Sequence, residues 1–157
     1  MGQPSEPAVI SALPDGTFAC NLPLESKQAL AELGEQLITV MEQGGDPARR
    51  LFPTAYPDDP ERDAGFQILA GEELMDQRRA AVATLGATTN NDTLTHDQLL
   101  DWMAVVNDLR LVLGTHLDVS EDEDDLDFSR PDIEQRLLYE SLGELLHHMV
   151  MALQAHL

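Results

Sequence analysis

The sequence predicts a mainly α fold, a helical bundle of about four to six helices with a short N-terminal β-hairpin. Three observations predict it. Only 4% of the residues are aromatic while 43% are hydrophobic, so the core must be built from Leu, Val, Met and Ala. That composition suits packed helices better than stacked sheets. Apolar residues recur at helical spacing in several stretches with caps and breakers between them, and two short apolar runs near the start flank a Pro-Asp-Gly turn. At 157 residues the chain fits one domain, large enough to bury roughly two thirds of its unfolded surface.

Taken in order, residues 1–7 read as a disordered terminus with neither a basic nor an apolar leader segment. Residues 8–21 read as a hairpin around Pro14-Asp15-Gly16, where proline fixes φ and glycine takes the left-handed position. A lone hairpin is marginal in water, so it must lie on helices or pair with another strand, of this chain or a second copy. A helix over about Leu24–Gln43 follows from the spacing of Leu30, Leu33, Leu37, Val40 and Met41, with Gly44-Gly45 ending it. The proline-rich loop 46–60 interrupts the helical core, which spans 24–117. Helical pattern resumes in two pieces, Pro60–Leu69 and Glu72–Leu85. After a turn at Asn90–Asp92, the capping box of Thr95 and Gln98 opens a helix over His96–Leu113, with Gly114 as its terminator. Seven acids in ten residues at Asp118–Asp127 mark 118–130 as a solvated linker. Pro131 then starts the last helix, 131–157, whose apolar residues cover a wide arc, as expected of a central helix or one half buried in a partner.

Charge excludes whole classes of function. Twenty-nine acids against nine bases leave a formal charge of −20, which disfavours direct nucleic-acid binding and anionic membranes, because both need Lys and Arg. A basic protein surface would be attracted. The longest uncharged apolar stretch, Leu145–Leu157, is 13 residues and too short to span a bilayer. With a single cysteine, Cys20, no intramolecular disulfide can form. A cytoplasmic protein is expected.

Candidate sites are few. Glu144-Leu145-Leu146-His147, with Glu140 one turn earlier, has the spacing of helical di-metal centres. Such centres need a second Glu-x-x-His and further glutamates, which are missing, and adjacent His147 and His148 cannot chelate one ion together. A surface acid beside a histidine is the simpler reading; a metal-binding helical-bundle enzyme on these residues stands as the alternative. The acidic run fails as a calcium loop, since a start at Asp118 puts Glu123 where glycine belongs and Ser129 where glutamate belongs. Cys20 lies in a predicted strand with no activating neighbour and reads as a small half-buried residue. No nucleophile elbow or phosphate-binding glycine loop occurs, so no enzyme, cofactor or metal is expected. Asn107-Asp108-Leu109-Arg110 is a polar cluster in an apolar helix: an internal ion pair fixing register, or an interface anchor with Trp102, Asp108 and Arg110 as contacts.

Two stretches, Arg49-Arg-Leu-Phe-Pro-Thr-Ala-Tyr-Pro-Asp-Asp-Pro60 and Trp102-Met-Ala-Val-Val-Asn-Asp-Leu-Arg-Leu-Val-Leu-Gly114, resemble an actinobacterial family long catalogued as a domain of unknown function and described as AosR-like, the actinomycete oxidative stress regulators. The resemblance is good over Arg49–Val119 and loose at the flanks. It implies a small cytoplasmic regulator, often encoded near a Clp protease adaptor and sulfur or cysteine genes, with a redox-responsive member acting through a sigma factor by an N-terminal cysteine pair. This chain departs there, because Cys20 has no second cysteine. The expected function is a regulator or adaptor, homodimeric, contacting a protein partner such as a sigma factor or the transcription machinery. A structural oligomer without catalytic role is the other alternative.

Overall fold

A computed structural model describes residues 8–43, 59–117 and 133–156. The elements run β1 (Ile10–Ala12), β2 (Phe18–Cys20), α1 (Leu24–Gln43), α2 (Pro60–Ala87), β3 (Thr93–Leu94), α3 (His96–Leu117) and α4 (Ile133–His156). The mainly α expectation holds. The expected disordered terminus, most of the proline-rich loop, the Gly44-Gly45 stop and the acidic linker lie outside the described residues.

The hairpin forms as its turn chemistry requires. Gly16 sits at φ 88°, a region that costs a Cβ-bearing residue energy. Asp15 accepts hydrogen bonds from the Thr17 amide at 2.9 Å and hydroxyl at 2.6 Å, and these hold its carboxyl below the usual carboxylate range. The register pairs Ile10 with Cys20 and Ala12 with Phe18. The strand that β2 needs on its other edge comes from this chain: β3 pairs Leu94 with Phe18 and Thr93 with Ala19, in the order β1-β2-β3. A two-residue strand carries no periodicity, so the sequence shows only the turn beside it.

Two helix boundaries differ from expectation. The two pieces after Pro60 are one 28-residue helix, α2, because the Ala70-Gly71 step that reads as a break costs only about 1 kcal/mol inside a helix. The α3 helix does not stop at Gly114 but runs to Leu117. Gly114 is there for packing: a Cβ at this position would lie 3.0 Å from a Tyr139 ring carbon of α4. The expected capping box is present, with the Gln98 amide donating to the Thr95 hydroxyl at 3.2 Å and the Thr95 amide to the Gln98 side chain at 2.9 Å.

Helix α3 is the centre of the arrangement. It packs against α1, α2 and α4, while α2 also packs on α1, and α4 lies along β1. Its Leu99, Trp102, Val105 and Val106 are fully buried with Phe18, Leu85, Leu94 and Met149. Removing such side chains typically costs about 2–5 kcal/mol each. Helices α1 and α4 both pack on α3 yet share at most marginal contact among the described residues.

Candidate functional site

Buried polar side chains between α2, β3, α3 and α1 are engaged by hydrogen bonds and an ion pair. The indole N–H of Trp102, which is 0% exposed, donates to the Thr88 hydroxyl at 2.8 Å. That hydroxyl donates onward to the Thr84 carbonyl at 2.8 Å. Lys27 is the only lysine of the chain, and it is buried, donating to the Asn91 carbonyl at 2.8 Å. It pins the 88–92 turn to α1. Asp108 is buried and meets Arg78 Nε at 2.8 Å. Burial pushes the Asp108 carboxyl up, and the charge and hydrogen bond of Arg78 act against it.

These positions settle where the sequence-derived contact residues lie. Trp102 and Asp108 point inward and engage other parts of this chain. The internal ion pair expected for Arg110 is not found among the described residues: Arg110 lies on the Tyr139 ring, and Asp108 pairs instead with Arg78 of α2. The tertiary pairing of α2 with α3 is invisible to a helical-spacing argument.

Arg110 is on the opposite side of α3, against α4. Its guanidinium carbon lies 4.7 Å from the centre of the Tyr139 ring, within cation–π range. A Cβ on Gly143 would come within 3.1 Å of Arg110 Nε, a nitrogen shielded from solvent and without a hydrogen-bond partner. Beside it lies a cleft of about 520 Å³ lined by Tyr139, Glu140, Glu144, His147 and His148. The alternative metal-site residues are therefore neighbours. Among the described residues, however, no three His, Cys, Asp or Glu side chains are placed to hold a metal ion.

Cys20 is 4% exposed on β2, and desolvation pushes its thiol up, with Lys27 pulling weakly the other way. A raised thiol is mostly protonated and a poor nucleophile.

A second concavity went unread in the sequence. Leu33, Gln36, Leu37 and Val40 of α1, Leu109, Val112 and Leu113 of α3, and Leu138 and Leu142 of α4 line a groove of about 400 Å³. Its signal was present as the apolar faces of three helices. Which faces would be left apart by the packing was not.

A family model described as "Domain of unknown function (DUF2017)" matches residues 3–153. The chain belongs to this family. The DUF2017 match covers the hairpin, α1, α2, β3, α3 and α4 as far as residue 153. No curated protein and no solved structure matches the chain.

The described bases of this DUF2017 chain are each engaged by another group of the chain. Lys27 and Arg136 are buried on the carbonyls of Asn91 and Leu117. Arg78 is held by Asp108, Arg79 by Glu42 at 2.9 Å and Asp76 at 3.4 Å, and Arg110 by the Tyr139 ring. Among the described residues, Lys27, Arg78 and Arg136 are engaged by groups of this chain away from solvent, and the exposed Arg79 is paired with acids. No described helix is long and apolar enough to cross a membrane.

Proposed function

We propose that this chain is a cytoplasmic regulatory or adaptor protein that acts by contacting other proteins, with no catalytic step of its own and no direct hold on nucleic acid. The single observation that supports this best is that the described bases are held by groups of this chain, three of them, Lys27, Arg78 and Arg136, away from solvent. Nothing described offers the free Lys and Arg rows that phosphodiester binding uses, whereas basic protein surfaces are drawn to such a field. The resemblance of Arg49–Pro60 and Trp102–Gly114 to oxidative stress regulators supports the finer reading. In that reading the partner is a sigma factor or another component of the transcription machinery, in oxidative-stress or sulfur-metabolism control. An intrachain disulfide is not the signal, since Cys20 is the only cysteine.

The homodimer belongs to the same proposal. It would use the outward apolar residues of α4, Leu137 and Met151, which are 39% and 51% exposed, and light scattering should return twice the 17.3 kDa chain mass. Crosslinking with mass spectrometry in the native host is the decisive test. Recovery of a basic partner protein is expected. Tight, salt-sensitive retention of the purified chain on double-stranded oligonucleotides would overturn the reading.

A further inference from the structure

Among the described residues, the gap between α1 and α4 has the form of an open position in a helical layer. Both helices rest on α3, they barely meet each other, and α3 supplies the floor through Leu109, Val112 and Leu113. The α1 wall, Leu33, Gln36, Leu37 and Val40, follows i, i+3, i+4, i+7 spacing, and the α4 wall, Leu138 and Leu142, is spaced i, i+4. Gln36 is the one polar lining residue. A helix seated between two others on a third fills such a space by ridge-into-groove packing, and an apolar groove bounded by helices is the usual receptor for an amphipathic helix.

The rim decides what the occupant carries on its flanks. Glu32 lies one helical turn before Gln36, Glu134 lies one turn before Leu138, and both are exposed. Neither has a basic partner within ion-pair distance among the described residues. Among the described residues, Arg136, two residues after Glu134, does not neutralise this edge, because it is buried on the Leu117 carbonyl. The groove is therefore apolar inside and anionic at its edges.

We infer that the α1–α3–α4 groove is the docking site for an amphipathic helix of a partner protein, with Leu-type anchors on one face and Lys or Arg on its flanks. The inference rests on the protein-binding reading above and deepens it by placing the contact and stating its chemistry. A second copy of this chain fits less well, because it brings the same negative charge to a negative rim.

The test uses the full chain and two synthetic amphipathic helical peptides with the same apolar face, one flanked by Lys and Arg and the other by Glu. Backbone amide shifts and fluorescence anisotropy are read at low and high salt. The basic peptide should shift amides around Leu37, Val112 and Leu138, weaken as salt rises, and bind at least about tenfold more tightly than the acidic one. Gln36→Arg, at an exposed position, should weaken it about tenfold with an unchanged melt, and Val40→Arg should do the same from the next turn. Equal binding of both peptides, shifts confined to the Arg110 side of α4, or no binding by either peptide would each overturn the assignment. The protein-binding reading fails separately. If a crosslinked cellular partner is retained in full by Gln36→Arg and Val40→Arg, the groove is wrong while that reading stands; if no protein partner is found although the basic peptide binds as described, the reverse holds.

Discussion

The two sides of α3 are built on opposite terms. Toward α2 and the sheet, buried polar side chains engage one another and the backbone: Trp102 donates to Thr88, Lys27 to the Asn91 carbonyl, and Asp108 forms an ion pair with Arg78. Toward α4 and the α1 gap, Arg110 Nε is shielded without an acceptor, and a row of leucines and valines opens onto a groove. A buried polar group that lacks its partner costs about 1–3 kcal/mol, so the first side is where stability is most vulnerable to single changes. The second side is dominated by apolar packing, with the Arg110 guanidinium resting on the Tyr139 ring.

Substitutions can break or sharpen this contrast. Trp102→Ala should have the largest effect, about 3–5 kcal/mol of lost stability in chemical denaturation, because a fully buried indole and its hydrogen bond go together. A loss under about 1 kcal/mol would mean that the sheet side is looser than its contacts indicate. Thr88→Val keeps the shape but removes the acceptor of the indole N–H, and should cost about 1–3 kcal/mol in the same assay. Gly114→Ala should cost about 1–3 kcal/mol, since its Cβ meets the Tyr139 ring. Tyr139→Leu should recover part of that loss; without recovery, the tight approach of α3 and α4 is not the cause.

The pH dependence of the Asp108 pair supplies a finer test. Burial raises the folded-state pKa of Asp108 above its unfolded value, so the folded state favours the protonated acid. Its contribution to stability is fully present below the unfolded pKa and is lost as pH rises through the folded one. Asp108→Asn, which cannot ionise, should therefore gain in stability relative to the parent as pH rises from the acid side through that window. An unchanged difference between parent and variant across acid and neutral pH would show that Arg78 offsets the burial in full. Smallest of all, Cys20→Ser should leave thiol-specific labelling of the native fold nearly unchanged at neutral pH, because the parent thiol is buried and its pKa raised.

Much of the fold was legible because its signals are local. Pro14-Asp15-Gly16 dictates a turn, Thr95 and Gln98 cap a helix, and the leucine spacing of α1, α3 and α4 gives their helical character. Errors fell where a local signal was weak or ambiguous. Gly114 reads as a helix stop and serves as a contact point, and Thr93–Leu94 is too short to show a period. Of the candidate contacts, Arg110 kept a partly exposed position beside Tyr139, while Trp102 and Asp108 turned inward, since helical spacing places residues on a face without saying what that face meets.

Length, the excess of acids, the lone cysteine and the helical periodicity belong to the chain before it folds, and they fixed its class and the sign of its field. Tertiary packing alone decided that Lys27 and Arg136 are held inside, that Asp108 finds Arg78, and that, among the described residues, α1 and α4 stand apart over α3. Residues far apart in sequence make those contacts, and no local pattern encodes which of several apolar faces will be left uncovered once the rest have met.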